Sequence, residues 1–224
     1  SRGPSEDGRI RPDLVVPGTF VLSTRSSRIA ANNNAWAAFP GSRKYFHMGG
    51  TSMATPLAAG AATLVRQFLR RDKGIANPSA ALIKAALIAG TKRLPDIGAA
   101  GAVCDNAQGF GRLDLDGALA PQALSTVEYI DVTQGLSTGE IWARDISIQS
   151  NTFPLRVVMA YSDYPGEHLV NNLNLILTAP DGKRFVGNAS ADGSLIMDAN
   201  NNVEMAQVTT PLPGSWHIEV VASN

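Results

Sequence analysis

The stretch Gly49-Gly50-Thr51-Ser52-Met53-Ala54-Thr55-Pro56 decides how the rest of the chain is read. Two adjacent glycines allow a tight backbone turn where a side chain would clash. Hydroxyl residues then stand where a helix should begin, and Pro56 is placed in that helix's first turn, where a missing N–H costs little. Leu57, Ala61, Leu64, Val65, Phe68 and Leu69 follow at helical spacing, while Arg66, Arg70 and Arg71 gather toward the end, where the helix dipole favours cations. The pattern predicts a helix running to about Arg71, with Gly74 as its C-cap. Two roles are open to Ser52. A serine at a helix start is usually an N-cap. At the positive end of a buried helix, beside a flexible turn, it is also well placed to be a nucleophile.

Working outward, residues 1–12 are rich in Gly, Pro and charge and read as a surface loop. Asp13-Leu14-Val15-Val16 is a short apolar run stopped by Pro17-Gly18, which predicts a buried strand that residues 19–23 continue. Residues 24–43 hold Ser, Asn, Pro and Gly clusters and read as a long exposed loop, and residues 44–48 alternate weakly into the Ser52 turn. A second helix is predicted with Asn77 as cap, Pro78 at its first position and Gly90 at its close, its apolar face being Leu82, Ile83, Ala86 and Leu87. After a loop over residues 91–112, Gly109-Phe110-Gly111-Arg112 leads into a short last element.

Past a seam at residues 118–124 the period changes from helical to two. Trp142, Arg144, Ile146 and Ile148 alternate with other residues, as do Leu173, Leu175 and Leu177, and Trp216, Ile218 and Val220. Residues 155–161 and 203–208 are further strand candidates, and Pro180-Asp181-Gly182 predicts a hairpin within residues 173–187. Charge divides at the same seam. Residues 1–121 carry 15 Lys and Arg against 8 Asp and Glu, a net of +7, and residues 122–224 carry 4 against 11, a net of −7. The expected organisation is therefore an α/β part over residues 1–121 and an all-β antiparallel sandwich or jelly roll over residues 122–224, the latter lacking its last strand.

A formal net charge of zero gives no reason to expect nucleic acid or an acidic membrane surface as partner. No apolar run approaches the roughly 18 residues of a membrane span, so no membrane association is expected. The single Cys104 excludes an intrachain disulfide.

The segment Gly50-Thr51-Ser52-Met53-Ala54-Thr55-Pro56 with Ala59-Gly60 resembles the nucleophile segment of the subtilisin-like serine proteases, the subtilases. Arg11-Pro12-Asp13-Leu14-Val15-Val16-Pro17-Gly18 resembles a second stretch of that family, with Val16 where Ala is usual, and Gly109-Phe110-Gly111-Arg112-Leu113 resembles a third. Residues 173–182 and 201–204 resemble the C-terminal jelly roll of an alkaline-protease branch. The resemblance implies the C-terminal part of a secreted endopeptidase acting on protein or peptide substrates, with Ser52 as catalytic nucleophile. It also implies that the triad Asp and His and the oxyanion Asn belong to an upstream, missing N-terminal part of the catalytic domain, so that residues 1–224 alone would be inactive. His47, His168 and His217 read as ordinary polar residues rather than as a general base.

Hard cations take clustered oxygen ligands. Residues 163–204 offer Asp163, Asn172, Asn174, Asp192, Asp198, Asn202 and Glu204. Related jelly rolls bind structural calcium, often with Asp where Asn172 and Asn174 stand here, and the expected ligands are Asp163, Asn172 and Glu204. Two other readings remain. Gly50-x-Ser52-x-Ala54 approaches the Gly-x-Ser-x-Gly elbow of α/β-hydrolase esterases, with Asp114 or Asp163 and His168 or His217 completing the chain order. The strand-only second half argues against it. The chain could also be a non-catalytic binding module.

Overall fold

The computed structural model describes residues 1–33, 35–119, 125–189 and 194–223. Its fold is mixed α/β with antiparallel sheets. In the first part β1 (Val21–Thr24), β2 (Ala37–Ala38) and β3 (Tyr45–Met48) form an antiparallel sheet in the order β1-β3-β2, followed by helices α1 (Thr51–Arg71), α2 (Ala80–Ala89) and α3 (Leu115–Leu119). The second part holds β4 (Ile141–Ile148), β5 (Leu155–Ala160), β6 (Leu173–Thr178), β7 (Arg184–Val186), β8 (Val203–Val208) and β9 (Gly214–Ala222). These make one four-stranded sheet in the order β4-β9-β6-β7 and a two-stranded sheet of β5 and β8. The expected seam at residues 118–124 falls mostly on residues 120–124, which lie outside the described residues.

Several local expectations are corrected. Residues 13–16 do not form a regular strand: Val15 makes a single parallel bridge to Arg112. The loop over residues 24–43 contains β2, because Ala37 and Ala38 fold back onto His47 and Phe46. Asn77 does not cap α2. Ser79 does, its Oγ accepting from Leu82 N–H at 3.0 Å while its own N–H and O–H donate to Asp131, both at 2.7 Å. Pro78 therefore precedes the cap. At the end of α1 the cap is Asp72, with Gly74 two residues beyond.

Among the described residues three apolar clusters are formed. Ala61, Val65 and Leu69 of α1 pack against Leu82, Ala86 and Leu87 of α2. This is a single stripe at i, i+4 and i+8 of a long helix. In the second part Leu175, Leu177, Trp216 and Ile218 of the four-stranded sheet meet Leu155, Val157, Met159, Ala206 and Val208 of β5 and β8. The alternation read from the sequence places those side chains on one face. The 173–187 hairpin forms as expected, with Ile176 opposite Val186.

The third cluster joins the two parts. Ile88 and Phe110 from the first pack with Val203 and Met205 from the second. Cys104 lies at its edge, where burial pushes the thiol up to about 12 and keeps it neutral. Arg156 on β5 reaches across to donate to Ala89 O at 2.6 Å and Thr91 O at 2.8 Å, and Ile10 N–H donates to Asn201 Oδ1 at 2.8 Å.

Candidate active site

The Ser52 turn is held by its neighbours in sequence and by the two other family-like segments. Gly50 is the cap of α1, with φ 138°, a value that suits glycine and strains other residues. Its N–H donates to Gly18 O at 2.7 Å, which fixes Pro17-Gly18 against the turn. The segment preceding Gly18 is itself anchored. Phe110 N–H donates to Asp13 O at 2.9 Å, Val15 N–H to Gly111 O at 3.0 Å, and Leu113 N–H to Val15 O at 2.9 Å. Thus the 11–18, 49–56 and 109–113 segments, far apart in sequence, are hydrogen-bonded into one assembly. Asp13 is further tied by Arg11 at 3.2 Å and Lys84 at 3.5 Å.

Ser52 is the second residue of α1, not its cap, and no side chain caps this helix. Thus the capping role is overturned. The ladder starts with Met53 and Ala54 N–H donating to Gly50 O at 3.0 and 3.2 Å. The N–H groups of Thr51 and Ser52 come before it, at the positive end of a 21-residue helix. Ser52 is exposed, and among the described residues no hydrogen bond engages its Oγ. Pro56 is the sixth helical residue, one turn later than expected, so it withholds the N–H that would otherwise reach the Ser52 carbonyl. An exposed, unengaged hydroxyl beside two free N–H groups suits attack on a carbonyl whose oxygen then becomes negative.

None of the three histidines serves Ser52 through a hydrogen bond. His47, on β3, is half-buried with its ring 6.1 Å from Phe20 and 6.2 Å from Phe39, and its Nδ1 is buried without a partner. His168 is exposed in the loop between β5 and β6. His217 Nδ1 lies 2.6 Å from Asp145 Oδ1 on the solvent side of the β4–β9 pair. Asp114 pairs with Lys92, which draws its pKa below the ordinary carboxylate value. The Asp–His combinations required by the esterase reading are therefore not hydrogen-bonded pairs.

The expected cation ligands divide among separate tasks. Asp163 accepts from Val170 N–H at 2.8 Å and from Asn171 N–H and Nδ2 at 3.0 and 2.8 Å. Although burial opposes its ionisation, these donors hold its pKa low. Asn172 Oδ1 accepts from Asn174 Nδ2 at 3.2 Å. Glu204 is fully buried: Oε2 accepts from Leu175 N–H at 2.7 Å, and Oε1 has no partner. Asn174 Oδ1 is also buried and unpartnered. Burial pushes the Glu204 carboxyl up to about 8, with the Leu175 N–H opposing and Asp198 adding to the shift. Asp192 lies outside the described residues. Among the described residues no three His, Cys, Asp or Glu side chains are grouped to hold a metal ion. The orphaned oxygens of Asn174 on β6 and Glu204 on β8 are features, among the described residues, that a cation would answer.

Residues 1–111 match the model of the Peptidase S8 family, described as the subtilase family. Over 99% of its length the chain is 28% identical, across 253 aligned residues, to a Dictyostelium discoideum protein named Serine protease/ABC transporter B family protein tagA, of which it spans 14%. It is 43% identical over 67 residues to Serine protease AprX of Bacillus subtilis (strain 168), covering 30% of this chain and 15% of that protein. Membrane-bound transcription factor site-1 protease of Mus musculus is 33% identical over 137 residues, covering 58% of this chain and 11% of the relative. The chain thus spans between 11% and 15% of these three relatives. Homology to subtilase-family serine proteases supports a peptidase function.

Proposed function

We propose that residues 1–224 are part of a secreted subtilisin-like serine endopeptidase in which Ser52 is the nucleophile. The observation that carries this reading is the state of Ser52: exposed, excluded from capping, and placed among the unpaired N–H groups at the start of α1. Ser52 Oγ attacks a substrate peptide carbonyl while a general base takes its proton. The Ser52 N–H stabilises the oxyanion, the amine leaves with the proton, and water releases the acyl group. The base, its orienting acid and the second oxyanion donor are supplied by polypeptide outside residues 1–224, since no described His or Asp engages Ser52. Residues 1–224 alone are then inactive.

In the same reading the second part is a jelly roll, supported by the two antiparallel sheets that share one apolar cluster. Calcium is retained in the proposal at Glu204 with Asn172, supported by the orphaned Glu204 Oε1. Asp163 is already committed to its own loop.

The test is made on the full-length polypeptide with a casein-type substrate and a serine-directed fluorophosphonate. Ser52→Ala is expected to abolish labelling and to lower proteolysis by more than about 10⁴-fold. Full proteolysis by Ser52→Ala would overturn the assignment. Ester cleavage without peptide cleavage would favour the esterase reading, and folding with neither activity nor labelling would favour a binding module.

A further inference from the structure

Beside the Ser52 turn stands a group of exposed aromatic rings that the chemistry at Ser52 does not use. Trp36, on the residue before β2, lies with its indole directly on Gly49. A Cβ built on Gly49 would sit 2.2 Å from Trp36 Cη2 and 2.3 Å from Cζ3, so only glycine lets the ring lie against the backbone there. The indole is nevertheless 51% exposed. Phe20 meets it edge to face at 5.7 Å with 78° between the planes, and Phe20 is 60% exposed. Trp36 is seated by its own N–H, which donates to His47 O at 3.1 Å.

Burial does not account for this arrangement, and the backbone is strained to make it. Three non-glycine residues have positive φ among the described residues: Phe20 at 50°, Ala35 at 50° and Asn188 at 53°. Asn tolerates that region; a bulky aromatic residue rarely does. Two of the three therefore carry or directly precede the two exposed rings. Strain that exposes apolar surface, rather than hiding it, is the kind retained at binding sites.

We infer that Trp36 and Phe20 form a subsite that binds a large apolar or aromatic side chain of the peptide cleaved at Ser52. The inference rests on the endopeptidase reading above and gives it a substrate preference. Reach supports it: Gly49 and Ser52 are three residues apart, at most about 11 Å, and an extended peptide advances about 3.3 Å per residue. A substrate side chain two or three residues from the scissile bond is therefore within reach of the indole. A ring there would gain an aromatic contact beyond its area burial.

The experiment uses the full-length protein and matched fluorogenic peptides in which Phe or Ala is walked through three positions on either side of the cleaved bond. In the natural protein one of these positions is expected to show a Phe-to-Ala ratio of kcat/KM of about three- to tenfold. Trp36→Ala should bring that ratio close to one, and Trp36→Phe should restore part of it. A ratio unchanged in Trp36→Ala at every position overturns the inference. The same unchanged ratio with a lowered Tm would show in addition that the rings are covered by another part of the protein. Fluorophosphonate labelling of the natural protein runs alongside. If Ser52 is labelled and the ratio does not respond, only the subsite fails; if Ser52 is not labelled, the endopeptidase reading fails and the subsite with it.

Discussion

The helix carrying Ser52 and the strand at the heart of the second part are both apolar, yet they are buried to different degrees. β6 has six residues, and four consecutive ones, Asn174 to Leu177, are fully buried. α1 has 21 residues, of which only Ala61, Val65 and Leu69 are buried. The cause is layering. β6 is hydrogen-bonded to β7 on one side and β9 on the other, and β5 and β8 cover its Leu175 and Leu177 face. Its core is supplied from within the same hundred residues. α1 rests on α2 along one stripe, while Leu57 at 46% and Leu64 at 49% exposed stand elsewhere on its surface. Apolar residues spread around a helix mark one that is meant to be covered on more than one side. The apolar face of β6 is covered within its own part; α1 presents Ser52 on a helix buried along one stripe alone. A part-covered α1, with no His or Asp hydrogen-bonded to Ser52 among the described residues, agrees with the endopeptidase proposal.

The sharpest test of closure is Trp216. It is buried on β9, its ring 5.8 Å from Phe185 and its Nε1–H donating to Leu212 O at 2.8 Å. Trp216→Ala removes the largest side chain of a core with no outside contributor, and it orphans the Leu212 carbonyl. A loss of about 3–5 kcal/mol is expected in urea denaturation of the 224-residue chain. A loss below about 1 kcal/mol would show that this core is not self-sufficient, and the contrast with α1 would fail.

A second test concerns Glu204, a buried carboxyl whose Oε2 accepts from Leu175 of β6 while its Oε1 has no partner. Glu204 is held in its neutral form up to about 8, whereas the unfolded chain releases its proton near 4.5. The folded state thus binds more protons across that window, so stability falls as pH rises from about 4.5 to about 8. The carboxylates with lowered pKa, Asp105 and Asp114 among them, act below about pH 4 and leave this window alone. With chelator present, the melting temperature should decline over pH 5–8.5, and Glu204→Gln should flatten the decline, a difference of up to a few kcal/mol at the alkaline end. Added calcium should raise the melting temperature above pH 7 in the natural chain and not in Glu204→Gln. No response to calcium in either protein would remove calcium from the proposal. An equal decline in both would remove Glu204 as its source.

These two residues also show what could be read in advance. Trp216, Ile218 and Val220 were legible because alternation is a local property that sheet burial preserves. The extent of α1 was legible for the same reason, and the seven-residue setting of Ser52 carries the resemblance from which the endopeptidase proposal starts. Glu204 was read as an oxygen ligand for a cation and not as a buried group, since its burial depends on Gly187, Leu175 and β8 closing around it. The α2 cap was misread because Asp131, 52 residues away, selects Ser79 over Asn77. The Trp36–Phe20 pair left no periodic trace: it is made by two left-handed backbone residues and a fold-back onto β3. In these cases what sequence reasoning missed is a contact between distant segments, whereas the caps of α1, Gly50 and Asp72, were missed locally.

The smallest expected effect bears most directly on the open half. Leu64 is half-exposed on α1, so Leu64→Asp in the 224-residue chain removes part of a leucine's buried area and leaves its carboxylate solvated. The expected change there is about 1 kcal/mol. The outcome in the full-length protein is set by whether further polypeptide packs on this face. If it does, the same substitution buries an unpaired carboxylate and removes apolar contacts at once, each of which is costly in a packed interior. The melting temperature of the full-length protein should then drop by several degrees, and proteolysis should fall with it, because a displaced α1 moves Ser52 away from its base. The same small change in both proteins would mean that the exposed leucines are ordinary surface residues. The openness of α1 would then carry no information about how the active site is completed, and only the catalytic test at Ser52 would still bear on it.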